Sequence, residues 1–225
     1  MEALVVRYDV LLWDLDGTLT DPKEGITLSV QYALNRLDYP FRAADDLDWI
    51  IGPPLKESFK TLLQTADETL LNRAVTIYRE RYQEMGLYEN IVYPGIPELL
   101  VQLKEKGCRN LLATSKPRVF AEKILQHFSL DSYFSVIMGS ELNGQFVEKD
   151  VLIAEVLKKV PGDSLAKTVM IGDRCYDVQG ARANSIDVIS VGYGYGSVEE
   201  LNVASPDFMV SSVRDLEKLL FFDLV

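Results

Sequence analysis

The chain has 225 residues, with 34 acidic side chains against 23 basic ones, a formal net charge of −11, two cysteines and one histidine. So acidic a protein is poorly suited to binding a phosphate backbone. A lone histidine, His127, cannot build a two-His zinc site and leaves any Ser-His-Asp chemistry resting on one residue, while Cys108 and Cys175 cannot make a disulfide framework or a four-thiolate site.

In chain order, the stretch from Ala3 to Leu15 is apolar but broken by Arg7, Asp9 and Asp14. It is too short and too charged to span a bilayer, and it lacks a basic start and a small-residue cleavage site. The expectation is a cytoplasmic protein with reduced thiols. Val5 to Leu15 reads as one strand buried on both faces, ending in Asp14-Leu15-Asp16-Gly17-Thr18, with Trp13 in the core.

From about Asp21 to Asn90 helix follows helix: Leu28–Leu37 and Leu70–Met85 are amphipathic, Leu55–Leu63 is a shorter helix, and no strand is convincing. This block, which carries Trp49, reads as a helical insertion. Pro22 and Pro94 mark its linkers. Ile51-Gly52-Pro53-Pro54-Leu55 reads as a rigid turn between helices.

After Gly95, strands and helices alternate. The strand candidates are Asn110–Ser115, Ser135–Gly139, Thr168–Asp173, Asp187–Gly192 and, more weakly, Phe208–Val210. Helical patterns cover Ile96–Lys106, Val119–Phe128 and Val151–Val160. Alternation of this kind implies a Rossmann-like parallel α/β sheet with right-handed crossovers. The expected division is a core of 1–18 and 94–225 with a helical cap of 19–93. His127 falls at a helix end, in a capping or surface position. Gly192-Tyr193-Gly194-Tyr195-Gly196 follows the fifth strand rather than the first, so it reads as a flexible loop beside a site and not as a dinucleotide fingerprint.

The reactive residues gather at strand ends, where open parallel sheets bind ligands. Strand one ends in Asp14 and Asp16, strand two in Thr114-Ser115-Lys116, and strand four in Gly172-Asp173 with Asp177 one helical turn on; Lys149 precedes the helix leading into strand four. Carboxylates converging on one cleft repel one another without a cation, and a hard divalent ion such as Mg²⁺ suits oxygen ligands. Ser115 and Lys149 offer a hydroxyl and a positive charge to an anion such as phosphate. Asp14 and Asp16, two apart, can serve as a nucleophile and an acid–base group.

Asp14-Leu15-Asp16-Gly17-Thr18-Leu19 resembles the first motif of the haloacid dehalogenase-like hydrolases, with Ser115, Lys149 and Gly172-Asp173-Arg174-Cys175-Tyr176-Asp177 similar to the second, third and fourth. Tyr93-Pro94-Gly95 and Ala113-Thr114-Ser115-Lys116-Pro117 resemble the phosphoglycolate phosphatase branch, and Gly52–Lys56 with the Gly192–Gly196 loop resembles a 5'-nucleotidase-like branch. The resemblance implies a helical type 1 cap and a Mg²⁺-dependent phosphatase acting on a small phosphorylated metabolite. Phosphoglycolate leads, a nucleoside monophosphate is the alternative, and a sugar phosphomutase is less favoured. It implies Asp14 as the nucleophile that becomes an aspartyl-phosphate and Asp16 as the acid–base group. Mg²⁺ would sit on Asp14, the Asp16 carbonyl, Asp173 and, through its water shell, Asp177. Ser115 and Lys149 would hold the phosphoryl oxygens, with Gly17, Thr18, Thr114, Lys116, Gly52 and Pro53 as further substrate contacts. No nucleic acid or membrane partner is implied, and the chain is expected as a monomer or homodimer. A phospho-accepting signalling domain shares the acidic cluster and the lysine, but carries its phosphorylated Asp after the third strand and has no helical insertion.

Overall fold

Charge interrupts the first apolar stretch, and the backbone follows it. The structure, a computed structural model, describes residues 5–160 and 162–222; the ends of the expected core at 1–4 and 223–225, including Ala3 and Leu4, lie outside the described residues. The single strand expected over Val5–Leu15 is two separate pieces. Val5–Val6 pairs antiparallel with Phe221–Phe222, and only Val10–Trp13 (β1) enters the main sheet. Between them the chain turns over Arg7–Asp9, where the Arg7 and Asp9 amides donate to the carbonyls of Leu220 and Lys167. All four residues of β1 are fully buried, as expected of a strand covered on both faces.

By contacts the chain divides into two compact units: one holds residues up to Thr20 and from Val92 onward, the other spans Asp21–Ile91. The second unit is helical, with α1 (Lys23–Arg36), a 3-10 segment over Ala44–Ile50, α2 (Leu55–Leu63) and α3 (Glu68–Arg81). Asp67 caps α3 by accepting from the Thr69 and Leu70 amides. The helix expected as far as Met85 changes at Tyr82 into a π turn ending at Gly86. Close backbone approach accounts for the glycines there: a Cβ on Gly25 would lie 2.0 Å from the Gly86 carbonyl oxygen. Arg81 grips Glu89 with two 2.7 Å hydrogen bonds, and Tyr78 stacks on Tyr82. Gly52 takes φ +106° in the turn before α2, which suits glycine, and Trp49 is 40% exposed.

The other unit is built from α4 (Ile96–Glu105), β2 (Arg109–Pro117), α5 (Arg118–His127), β3 (Phe134–Ser140), α6 (Lys149–Leu157), β4 (Thr168–Gly172), α7 (Cys175–Ala183), β5 (Asp187–Val191), α8 (Val198–Ala204), β6 (Phe208–Val210) and α9 (Val213–Leu220). The six strands of its main sheet are parallel and lie in the order β3-β2-β1-β4-β5-β6. This is the doubly wound, Rossmann-like α/β order. Side chains alternate across the sheet: Val10 and Leu12 join Leu111, Ala113, Met170 and Val188 on one face, covered by Ile153 and Val156 of α6 and by Val178 and Ala181 of α7. Trp13 is fully buried, and its indole nitrogen donates to Asn110 Oδ1 at 2.9 Å, so the polar edge of the ring has a partner.

Two further differences from the sequence expectation bear on the site. β2 runs past Ser115 to Pro117, with its register against β3 shifting between Thr114 and Pro117. Residues 115–116 therefore sit in a bulge, a device that re-aims side chains. The strand order reverses at β1, so the ends of β1 and β4 flank the crevice where sheets of this order place ligands.

Candidate active site

β1 and β4 are registered with Trp13 opposite Ile171, and the Asp14 amide donates to the Ile171 carbonyl at 2.9 Å. The ladder thus carries Asp14 to the carboxyl edge beside Gly172. The chain then folds sharply: the Leu15 carbonyl accepts from the amides of Thr18, Leu19 and Thr20, and the Gly17 amide donates to the Thr20 carbonyl. Gly17 has φ +81°, and a Cβ there would lie 2.1 Å from Asp173 Oδ2. Only glycine permits both the turn and the approach of the two loops.

On the β4 side, Asp173 is fully buried and Asp177 nearly so. Asp177, in the first turn of α7, accepts the Arg174 amide at 3.1 Å, and a Cβ on Gly172 would lie 2.1 Å from its carboxyl carbon. Carboxylate oxygens of Asp14, Asp173 and Asp177 lie within 4.8 Å of one another. Lys149, at the start of α6, reaches into this group: its Nζ is 3.1 Å from Asp14 Oδ1 and 2.7 Å from Asp177 Oδ1. Asp150 points away, exposed, and accepts the Val151 amide locally. A second lysine, Lys116, puts its Nζ 2.7 Å from Asp16 Oδ2.

Burial and crowding set the charge states. Asp173 is pushed well above the usual carboxylate range, first by desolvation and then by the charges of Asp14 and Asp177; the Tyr195 amide opposes the shift. Asp177 rises to about 6, again mainly by desolvation, with Lys149 opposing and Asp14 reinforcing. Burial pulls Lys149 down, but the charges of Asp14 and Asp177 outweigh it and the ammonium is held above its ordinary value. Burial likewise raises Asp16, and Lys116 offsets part of that shift.

Three buried carboxylates and one lysine form an oxygen-only set with negative charge to spare, and Asp173 Oδ1 has no hydrogen-bond partner. That donor set fits a hard divalent cation.

The other residues singled out from sequence fall into three groups. Gly17 and Thr18 belong to the tight turn itself; Thr18 is fully buried, with its hydroxyl unpartnered. Ser115 is half-buried, and its carbonyl accepts the Ser140 hydroxyl at 2.8 Å. Thr114 is buried, and its hydroxyl accepts the Lys116 amide, so it braces the bulge. Gly52 and Pro53 belong to the helical unit. His127 is exposed in the last turn of α5 against the Phe128 ring.

The loop at Gly192–Gly196 corrects one expectation. It is no free flap but the packing around Asp173. The Tyr195 amide donates to Asp173 Oδ2 at 2.7 Å, and the Tyr193 hydroxyl donates to the Thr18 carbonyl. A Cβ on Gly194 or Gly196 would lie 2.4 Å from Asp173 Cβ or 2.0 Å from its carbonyl oxygen. The alternating glycines directly after a strand were the available signal.

A family description, haloacid dehalogenase-like hydrolase, matches residues 11–191, a span that contains Asp14, Asp16, Ser115, Lys149, Asp173 and Asp177. The chain belongs to the haloacid dehalogenase-like hydrolase family. Its relatives include phosphoric monoester hydrolases. A 5'-nucleotidase of Pseudomonas aeruginosa is 45% identical over 222 residues, covering 98% of this chain and 99% of the relative. The Tyrosine-protein kinase PtkA of Mycobacterium tuberculosis is 36% identical over 87% of this chain and 66% of its own length. A phosphoglycolate phosphatase of Colwellia psychrerythraea is 29% identical over 92% and 95%. Among solved structures, a predicted phosphatase from Clostridium acetobutylicum superposes with a TM-score of 0.88 at 43% identity, covering 93% of this chain and 96% of that one.

Within this family member, one contributor escaped the sequence reading. Glu200 of α8 accepts from the Arg174 guanidinium at 2.9 and 3.3 Å and from the Cys175 amide at 2.9 Å, tying down the turn between Asp173 and Asp177. Nothing local marks it, since it lies 26 residues away from Arg174. Among the described residues no helix is long and apolar enough to cross a membrane.

Proposed function

We propose that this chain is a Mg²⁺-dependent phosphatase that hydrolyses a small phosphomonoester through an aspartyl-phosphate on Asp14. The supporting observation is the junction of β1 and β4, where Asp14, Asp173 and Asp177 converge on one another and on Lys149. Asp14, the Asp16 carbonyl and Asp173 would hold the cation, with Asp177 behind them. When bound, the cation supplies charge neutralisation for the phosphoryl group.

The chain's own residues do the rest. Asp14 Oδ attacks phosphorus, and the P–O bond to the leaving group breaks. Asp16 gives its proton to the departing oxygen and then takes one from the water that attacks the phospho-aspartate, which returns Asp14 and frees inorganic phosphate. Lys149 holds Asp14 in place and meets charge on the transferring oxygens, and Ser115 donates a hydrogen bond to them.

For the substrate, a nucleoside 5'-monophosphate takes precedence over phosphoglycolate, because the relative named a 5'-nucleotidase is 45% identical across 98% of the chain. Phosphoglycolate remains the second reading through the relative of that name at 29% identity. The test is phosphate release from a panel of nucleoside monophosphates, phosphoglycolate and sugar phosphates, with and without Mg²⁺, for wild type and Asp14→Asn. Mg²⁺-dependent release that disappears in Asp14→Asn is expected. Metal-independent turnover, or full activity in the variant, refutes the mechanism. Isomerised sugar phosphate in place of free phosphate would make the chain a mutase instead.

A further inference from the structure

Two buried lysines serve the carboxylates at the end of β1, and they divide them. Lys149 pairs with Asp14 and Asp177, while Lys116 pairs with Asp16. We propose that Lys116 is a positioning residue for Asp16, holding one carboxylate oxygen so that the other faces the leaving oxygen of the substrate. This rests on the phosphatase reading above, and it differs from the substrate contact that sequence alone suggested for Lys116.

Three observations carry it. The contact is short and enclosed: Nζ to Asp16 Oδ2 is 2.7 Å, with side-chain exposures of 5% and 11%. Asp16 Oδ1 is buried and has no hydrogen-bond partner, so it is the oxygen left to work on substrate. The backbone is also built to place this lysine. β2 bulges between Thr114 and Pro117, the Lys116 amide donates to the Thr114 hydroxyl, and Ser140 holds the Ser115 carbonyl. On β3, Gly139 leaves room for the bulge: a Cβ there would lie 2.3 Å from the Lys116 carbonyl oxygen.

A carboxyl group that must give and retake a proton at one oxygen depends on orientation, and a displacement of about 1 Å costs on the order of 100-fold in rate. The need for that proton depends on the leaving group. An alkoxide is strongly basic and cannot leave unprotonated, whereas a nitrophenolate departs without help. Loss of Asp16 positioning therefore slows the first step selectively for alkyl phosphates, whereas the water attack that follows is slowed equally for every ester.

The experiment compares wild type, Lys116→Met and Gly139→Ala on an alkyl phosphate and on a nitrophenyl phosphate, with kcat and KM determined separately and the folded state checked by thermal melting. Gly139→Ala keeps the lysine but displaces the bulge that aims it. Lys116→Met is expected to lower kcat/KM, which reports the step up to departure of the leaving group, about 100-fold on the alkyl ester and less than about 5-fold on the nitrophenyl ester, while kcat falls on both because water attack on the shared phospho-aspartate also uses Asp16. Gly139→Ala is expected to give the same selectivity at smaller size, which keeps the inference testable if Lys116→Met does not fold. Equal losses of kcat/KM on both esters, or a loss confined to KM, overturn the positioning role and return Lys116 to substrate binding. The underlying phosphatase reading fails separately, by absence of wild-type turnover or by full activity of Asp14→Asn.

Discussion

Replacing Gly17 by alanine attacks the site through one methyl group. Its Cβ would stand 2.1 Å from Asp173 Oδ2, 2.6 Å from Cγ and 2.9 Å from Oδ1. Restoring ordinary van der Waals contact moves the carboxylate by more than about 1 Å. The carboxylate is closely held already: Gly194 packs against it, a Cβ there lying 2.5 Å from Oδ2, and the Tyr195 amide donates to Oδ2 at 2.7 Å. Alanine at φ +81° adds a backbone cost of about 1–2 kcal/mol. The expected result is a fall in kcat of about 100-fold and weaker Mg²⁺ dependence, together with a drop in Tm of about 2–8 °C. Gly107→Ala is the control: its φ is +79°, but a Cβ there meets nothing within 4 Å. It should show a comparable stability loss with kcat unchanged. Turnover and Mg²⁺ titration on all three proteins give the answer. A Gly17→Ala enzyme within about threefold of wild type, with the same Mg²⁺ response, would refute the account of Asp173 as a close-packed metal ligand.

The raised carboxyls make stability depend on pH and metal together. Asp173 and Asp177 sit above their unfolded values, so between those values and the folded ones the native state binds the extra protons. The stability they confer is complete at low pH and is lost as pH climbs through about 6, the folded value of Asp177. A divalent cation needs them deprotonated, so added Mg²⁺ should raise Tm more at pH 7.5 than at pH 4.5; equal shifts would contradict it. Lys149→Met removes the cation shared by Asp14 and Asp177, and should cost about 3–5 kcal/mol and lower kcat at least 100-fold. Near-wild-type melting and turnover would show that Lys149 is dispensable. Burial pushes both thiols, Cys108 and Cys175, up to about 11, so neither should react appreciably with iodoacetamide at pH 7.5. Rapid labelling with loss of activity would count against this.

Much of the site is readable because its residues stand at the ends of strands that local pattern identifies. Asp14, Asp173 and Asp177 needed only the alternation of strands and helices to be placed on one edge of a sheet. The mismatch at Val5–Leu15 has an equally local cause: the charged and polar run Arg7–Asp9 stops the strand, and the pairing of Val5–Val6 with residues more than two hundred positions later carries no signal in either segment. The bulge at Ser115–Lys116 was invisible for the same reason, since it depends on Gly139 in a neighbouring strand.

The chemistry available is written locally in the chain, an acidic polypeptide with one histidine whose carboxylates and lysines cluster in four short motifs. It is legible there because a strand end and the turn after it are local objects. Folding in three dimensions assigns each lysine to its aspartates, with Lys149 bridging Asp14 and Asp177 while Lys116 takes Asp16, and brings Tyr195 and Glu200 to brace the β4 end. Those partnerships join residues from separate strands and helices, and ion pairs are set by distance in space, which the spacing along a chain does not encode.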